Sequence, residues 1–279
     1  MTNRYIPEPV GTFTLEWLVR ELNRVSYDLE QLHMSGYDFG LEVAKGNVPG
    51  HSIVNKFGRN IVITKDAEEF IWDGGGTYSF PASASLTHIR SAVDSATTQG
   101  LAIEVQGLDT NWDLTIQTAT LDGTDSTTEV ALTTALRRVF RLKVNDSGVA
   151  DEAIQVGPTG FATQGAIITA GNNQTLMAIY TVPANKTAYI VKHYATLNLA
   201  ATPNLTGALL KRWHQDNANS YSPQLKSSMG MALAGSSDID HEYELPERVT
   251  EKTDIYLTAT AEGAAADVSA GFDLYLVDN

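Results

Sequence analysis

From about residue 48 onward, apolar and polar side chains alternate in short runs broken by turn residues. A period of two restricts this stretch to antiparallel sheets with one face buried. The run Val268–Val277 puts Phe272, Leu274 and Leu276 on one face and Asp273, Tyr275 and Val277 on the other. Leu101, Ile103 and Val105 share a face, Gly107–Asn111 interrupts, and Trp112, Leu114 and Ile116 resume the alternation. That is a hairpin pattern. Asp122-Gly123 and Asn145–Gly148 mark further turns, and Val139–Val144 reads as another strand. Gly74-Gly75-Gly76 marks a loop or a close backbone approach. Gln174–Pro183 and Ala188–Leu199 flank a turn at Pro183–Lys186. Ala208–Trp213, Ser227–Leu233, Ile239–Leu245 and Asp254–Ala261 supply more strands. This spacing predicts β-sandwiches of jelly-roll type.

The fold class expected is therefore mainly β: an N-terminal α-helix followed by two antiparallel β-sandwich, jelly-roll-like domains. The expected boundaries are 1–47 for an extended peptide and helix, 48–160 for the first sandwich and 174–279 for the second. Residues 161–173, rich in Gly, Thr and Asn, read as the linker.

Residues 1–47 follow a different period. After Pro7 and Pro9, apolar residues fall at Leu15, Leu18, Leu22, Val25, Leu29 and Leu32, spaced 3, 4, 3, 4, 3. This heptad predicts an amphipathic helix that docks on its own domain, associates with copies of itself or inserts into a partner complex. Thr14 suits the N-cap, Phe13 and Leu18 a hydrophobic staple, and Gly36 the stop. Two to three heptads are marginal alone, so association needs help from the rest of the chain. Leu and Val at these positions do not fix the number of copies.

Charge and composition exclude whole classes. The net charge is −14, the opposite of what a general nucleic-acid binder needs. There is no cysteine, which removes disulfide scaffolds, thiolate metal sites and Cys nucleophiles. No apolar run is long enough to span a bilayer and no secretory signal is visible, so synthesis in a cytoplasm is expected.

Candidate chemistry is sparse. Asp109-Thr-Asn111-Trp-Asp113 opens like a calcium loop, but Leu114 and Thr120 stand where Gly and Glu are required, so it reads as a turn. Asp238, Asp240 and Glu242 share one strand face with His241 on the other, an exposed acidic face or a seat for a cation. His33, His51, His88, His193, His214 and His241 show no metal-ligand spacing and read as surface or packing residues. There is no G-x-S-x-G elbow and no phosphate-binding glycine loop. Neither a catalytic set nor a cofactor is therefore expected. Arg137, Arg138, Arg141 and Lys143 form a basic cluster, while residues 101–136 hold six acids and no base. The two stretches are complementary within one chain or between neighbouring protomers. Trp213, Tyr221 and Tyr243 are candidates for stacking on a sugar.

Two stretches resemble structural proteins of tailed, especially short-tailed, bacteriophages. One is Gly50-His-Ser-Ile-Val-Asn-Lys-Phe-Gly-Arg-Asn60, continuing through Val105–Asp109. The other is Ile179-Tyr-Thr-Val-Pro-Ala-Asn-Lys-Thr-Ala-Tyr-Ile190. In the second, Asn185 replaces the small Gly usual in that turn, and Asn also tolerates the left-handed conformation. Tyr5-Ile-Pro-Glu-Pro9 with Trp17–Arg24 resembles short phage segments that end in one helix. The resemblance implies a non-enzymatic virion component, made in the host cytoplasm, that decorates the capsid or forms a head fibre. It implies a homo-oligomer, with a trimer favoured, attached by the N-terminal segment to other virion proteins such as the major capsid protein. A tail or neck component, or a receptor-binding module that takes carbohydrate, is the alternative. A polysaccharide depolymerase would need a catalytic set that the sequence does not display.

Overall fold

The computed structural model describes residues 15–35, 39–198, 204–235 and 237–279, with side chains omitted for 28–35. The chain divides into two compact units, residues 1–49 and 50–279. In the first, α1 (Leu15–Ser35) and α2 (Phe39–Ala44) are helical. Arg24 pairs with Glu21 at 2.8 Å, one turn apart on α1. Phe13, Thr14 and Gly36, expected to staple, cap and end α1, lie outside the described residues, as do the side chains of Leu29 and Leu32.

The second unit is all strand and turn. Its elements are β1 (His51–Ile63), β2 (Glu68–Phe70), β3 (Leu86–Ser91), β4 (Ala102–Leu108), β5 (Leu114–Thr120), β6 (Val130–Leu136), β7 (Arg138–Val144) and β8 (Ile154–Gly157). They continue with β9 (Ala166–Ile168), β10 (Ile179–Thr181), β11 (Lys186–Asn198), β12 (Gly207–Asp216), β13 (Gln224–Ala232), β14 (Asp238–Val249), β15 (Thr253–Glu262) and β16 (Ala266–Asp278).

Two sheets form a sandwich, in the orders β1-β16-β11-β14 and β10-β15-β12-β13, with β2 added beside β15. Reading β1 and then β10 to β16 as eight successive strands gives 1-8-3-6 in one sheet and 2-7-4-5 in the other. That is the jelly-roll order of two interlocked Greek keys. Its core lies between the sheets and includes Ile190, Leu210, Leu257, Phe272 and Leu274.

The expected boundary at residues 161–173 is not where the strands divide. β1 pairs along its length with β16, and β2 pairs with β15, so both belong to the C-terminal sandwich. Residues between β2 and β10 form an insertion after the first jelly-roll strand. The insertion has sheets β6-β3-β8-β9 and β5-β4-β7. Gln117 on β5 joins them by bonding both the N–H and the C=O of Thr134 on β6. The supposed linker carries β9, which pairs with β8. The reason is packing. β15 is buried on both faces, with Leu257 and Ala259 in the sandwich core and Tyr256 in the core of the insertion. One strand therefore serves two cores, and residues 50–279 make one unit.

Turn chemistry matches the sequence closely. Asn185 adopts φ 59° between β10 and β11, and Gly75 and Gly76 adopt φ 64° and 59°. At Gly74 a Cβ would lie 2.3 Å from the Trp72 ring, so this glycine marks a close approach. Asp109 Oδ1 accepts from the N–H groups of Asn111 and Asp113 at 2.7 and 3.0 Å, closing the β4–β5 hairpin as a turn.

Candidate assembly surface

On α1 the four heptad residues whose side chains are described are exposed. Leu15, Leu18, Leu22 and Val25 are 76, 46, 60 and 45% exposed. Side chains of this size at 3-4-3 spacing form an apolar stripe whose burial would stabilise an association by about 25 cal/mol per Å² removed from water.

The basic cluster does not form a surface patch. Arg138 lies inside the fold and makes a bidentate pair with buried Asp254, at 2.9 and 3.0 Å. Asp254 also accepts from Thr181 Oγ1 at 2.5 Å and Asn217 Nδ2 at 2.9 Å. Arg138 Nη1 donates to the carbonyls of Pro81 and Arg137. The guanidinium lies 5.1 Å from the Trp112 ring, and Arg137 lies 4.7 Å from the same ring. Arg138 thus joins β7 of the insertion to β15 of the sandwich and cannot reach a neighbouring protomer. Arg141 and Lys143 stand opposite Gln106 and Glu104 of β4, so part of the charge complement is met within the chain.

Nor are the aromatic candidates brought together. Trp213 packs against the core of the insertion and donates Nε1 to Glu68 and Thr258, at 2.9 and 3.0 Å. Tyr243 packs against the sandwich core on the opposite side of the β12 sheet. Tyr221 is exposed. A platform of all three does not exist.

Tyr243 belongs instead to a polar cluster inside the jelly roll that sequence reasoning missed. Arg212 is buried and donates Nη2 to the Tyr243 hydroxyl at 2.9 Å and to Glu247 at 2.5 Å. Its Nη1 lies 3.2 Å from His214 Nε2, and the Tyr243 hydroxyl lies 2.9 Å from His193 Nδ1. Burial, with Arg212 nearby, pulls His193 down to about 4 and His214 down to about 3, so both are neutral at pH 7. A signal was present: Ala208, Leu210, Arg212 and His214 share one face of β12, so the period of two sends Arg and His inward with the apolar residues. Lys56 on β1 is similarly buried; its ammonium donates to the Phe140 carbonyl, and burial beside Arg141 pulls it down to about 7.

The acids of β14 face outward as their alternation predicts. Lys192 on β11 lies 2.8 Å from Asp240 and 3.5 Å from Glu242, so the chain supplies a cation of its own. Among the described residues no group of three His, Cys, Asp or Glu could hold a metal ion, and no helix is long and apolar enough to cross a membrane.

No protein-family model matches the chain, and no curated protein matches it. Among solved structures, one similar chain comes from the structure of the infectious bursal disease virus Gt strain. It is 9% identical, covers 86% of this chain and 78% of its own, and has a TM-score of 0.25. Another comes from the infectious bursal disease virus VP2 subviral particle: 10% identity, 83% and 73% coverage, TM-score 0.21. Superpositions this loose carry no argument about what the chain does.

Proposed function

We propose that this chain is a non-enzymatic structural protein of a virus particle that works by self-association. The exposed row Leu15, Leu18, Leu22 and Val25 carries the reading, because an apolar stripe of this length calls for a covering partner. The jelly-roll order supports it, since that architecture recurs in viral capsid domains, by analogy of fold. The finer reading follows the phage resemblance: capsid decoration or a head fibre, as a homotrimer held to other virion proteins by the N-terminal segment. Assembly proceeds by burial of the α1 stripe between protomers.

The test is Leu18→Glu combined with Leu22→Glu. Both side chains are exposed in the single chain, so the variant keeps its β-sheet circular-dichroism spectrum while its sedimentation coefficient drops to that of the monomer. An unchanged oligomer would remove α1 from the assembly.

A further inference from the structure

The outer face of the β1-β16-β11 sheet holds a shallow groove of about 400 Å³ at its centre. Strand register places Phe57, Gly271 and Tyr194 side by side across three strands. A Cβ on Gly271 would lie 2.5 Å from the Tyr194 hydroxyl, so the absence of a side chain lets the Tyr194 ring lie across the sheet. Phe57 is exposed on the other side of Gly271. The result is an aromatic row open to solvent.

Hydrogen-bonding rows border it on both sides. In one, Asn55 Nδ2 donates to Asp273 at 2.5 Å and to the Tyr194 hydroxyl at 3.2 Å. In the other, Arg59 is paired with Asp267 through Nε and Nη2, and Asn198 Nδ2 bonds both Asp267 and Ser269 Oγ. Arg59, Ser269 and Thr196 stand opposite one another on β1, β16 and β11 and line the groove. These contacts hold the polar groups in place before any ligand arrives.

We infer that this groove binds an uncharged saccharide. A pyranose has an apolar C–H face that packs on aromatic rings and a rim of hydroxyls that both donate and accept. The groove offers both elements in the matching order: rings at the centre, and amide, carboxylate, guanidinium and hydroxyl groups at the edges. The guanidinium is already neutralised by Asp267, leaving no spare cation on this row for a carboxylated or sulfated sugar. On the other row Lys192 stands opposite Asp273 but is engaged by Asp240 and Glu242, so acids outnumber the cation there and disfavour anions further. The site differs from the Trp213, Tyr221 and Tyr243 set that the sequence suggested, and the inference is independent of self-assembly.

The experiment uses the full chain on an array of immobilised neutral oligosaccharides built from hexoses and N-acetylhexosamines, with sialylated and sulfated glycans alongside. Binding to neutral glycans is expected. It should fall at least tenfold in Phe57→Ala and in Asn55→Ala, and be blocked in Thr196→Trp, which fills the groove from an exposed position. Trp213→Ala should bind as the parent does. Melting temperatures identify any variant that fails to fold, and the other substitutions then decide. No neutral glycan bound, binding confined to anionic glycans, or binding that survives the folded groove variants would each overturn the inference.

Discussion

Arg138 and Asp254 are both withdrawn from water, and each is satisfied by the other together with Thr181, Asn217 and backbone carbonyls. Removing one partner leaves the other uncompensated, which costs about 3–5 kcal/mol. Asp254→Asn is therefore expected to lower the urea-derived stability by that amount, and a loss below about 1 kcal/mol would show that the pair does not hold β7 to β15. The histidines give a pH signature. His193 and His214 have folded pKa values of about 4 and about 3, below the unfolded value near 6.5. Between these limits the unfolded chain binds protons that the folded chain refuses, so stability falls as pH drops from 6.5 toward 4. The urea midpoint should decrease between pH 7 and pH 5. His193→Gln with His214→Gln should flatten that slope, and an unchanged slope would contradict the assignment. At this scale the sequence misleads, because Arg137 to Lys143 reads as one basic patch. Alternation sets Arg138 on the face opposite Arg137, Arg141 and Lys143, but only the packing of β7 against Asp254 of β15 shows that Arg138 turns inward while Lys143 stays exposed.

Element by element, much more was legible. The alternation in β16, the β4–β5 hairpin and the Pro183–Lys186 turn all encode local geometry, and each forms where the sequence puts it, but Trp112 falls in the hairpin turn and Leu114 and Ile116 face solvent, against the buried apolar face their alternation predicts. The helix period of α1 is equally local. The edges of the sheets are not local, because an edge is defined by the neighbour it lacks. β14 forms one edge of the jelly-roll sheet. Its pairing with β11 skips between Glu242 and Glu247, and Leu245 and Pro246 fall in that skip. A bulge, a proline and a row of acids are the devices that keep an edge from recruiting another chain. Pro246→Thr restores an N–H to that edge. It should raise the rate of turbidity growth on mild heating while changing the unfolding free energy by less than about 1 kcal/mol. Equal turbidity in parent and variant would mean that Pro246 does not protect the edge.

For the whole molecule, the decisive feature is a jelly roll whose first two strands are separated by an inserted β domain. β1 and β10 are neighbours in the fold's strand sequence, yet residues 64–178 lie between them. A linear reading places the domain boundary at a Gly- and Asn-rich stretch near 161–173, because composition reports loops and not pairing partners. The pairing of β1 with β16 joins residues more than 200 positions apart, and no local pattern carries that information. The candidate groove beside Gly271 was hidden for the same reason: Phe57, Gly271 and Tyr194 meet only through register. The α1 stripe, in contrast, was readable from its spacing, and its exposure makes association the central claim for the molecule. The most direct test is the mass of the purified full-length chain by light scattering on a sizing column, across a range of concentrations. One chain is 30.2 kDa, and the account predicts a single species of three times that mass. A species of 30.2 kDa at every concentration would contradict it.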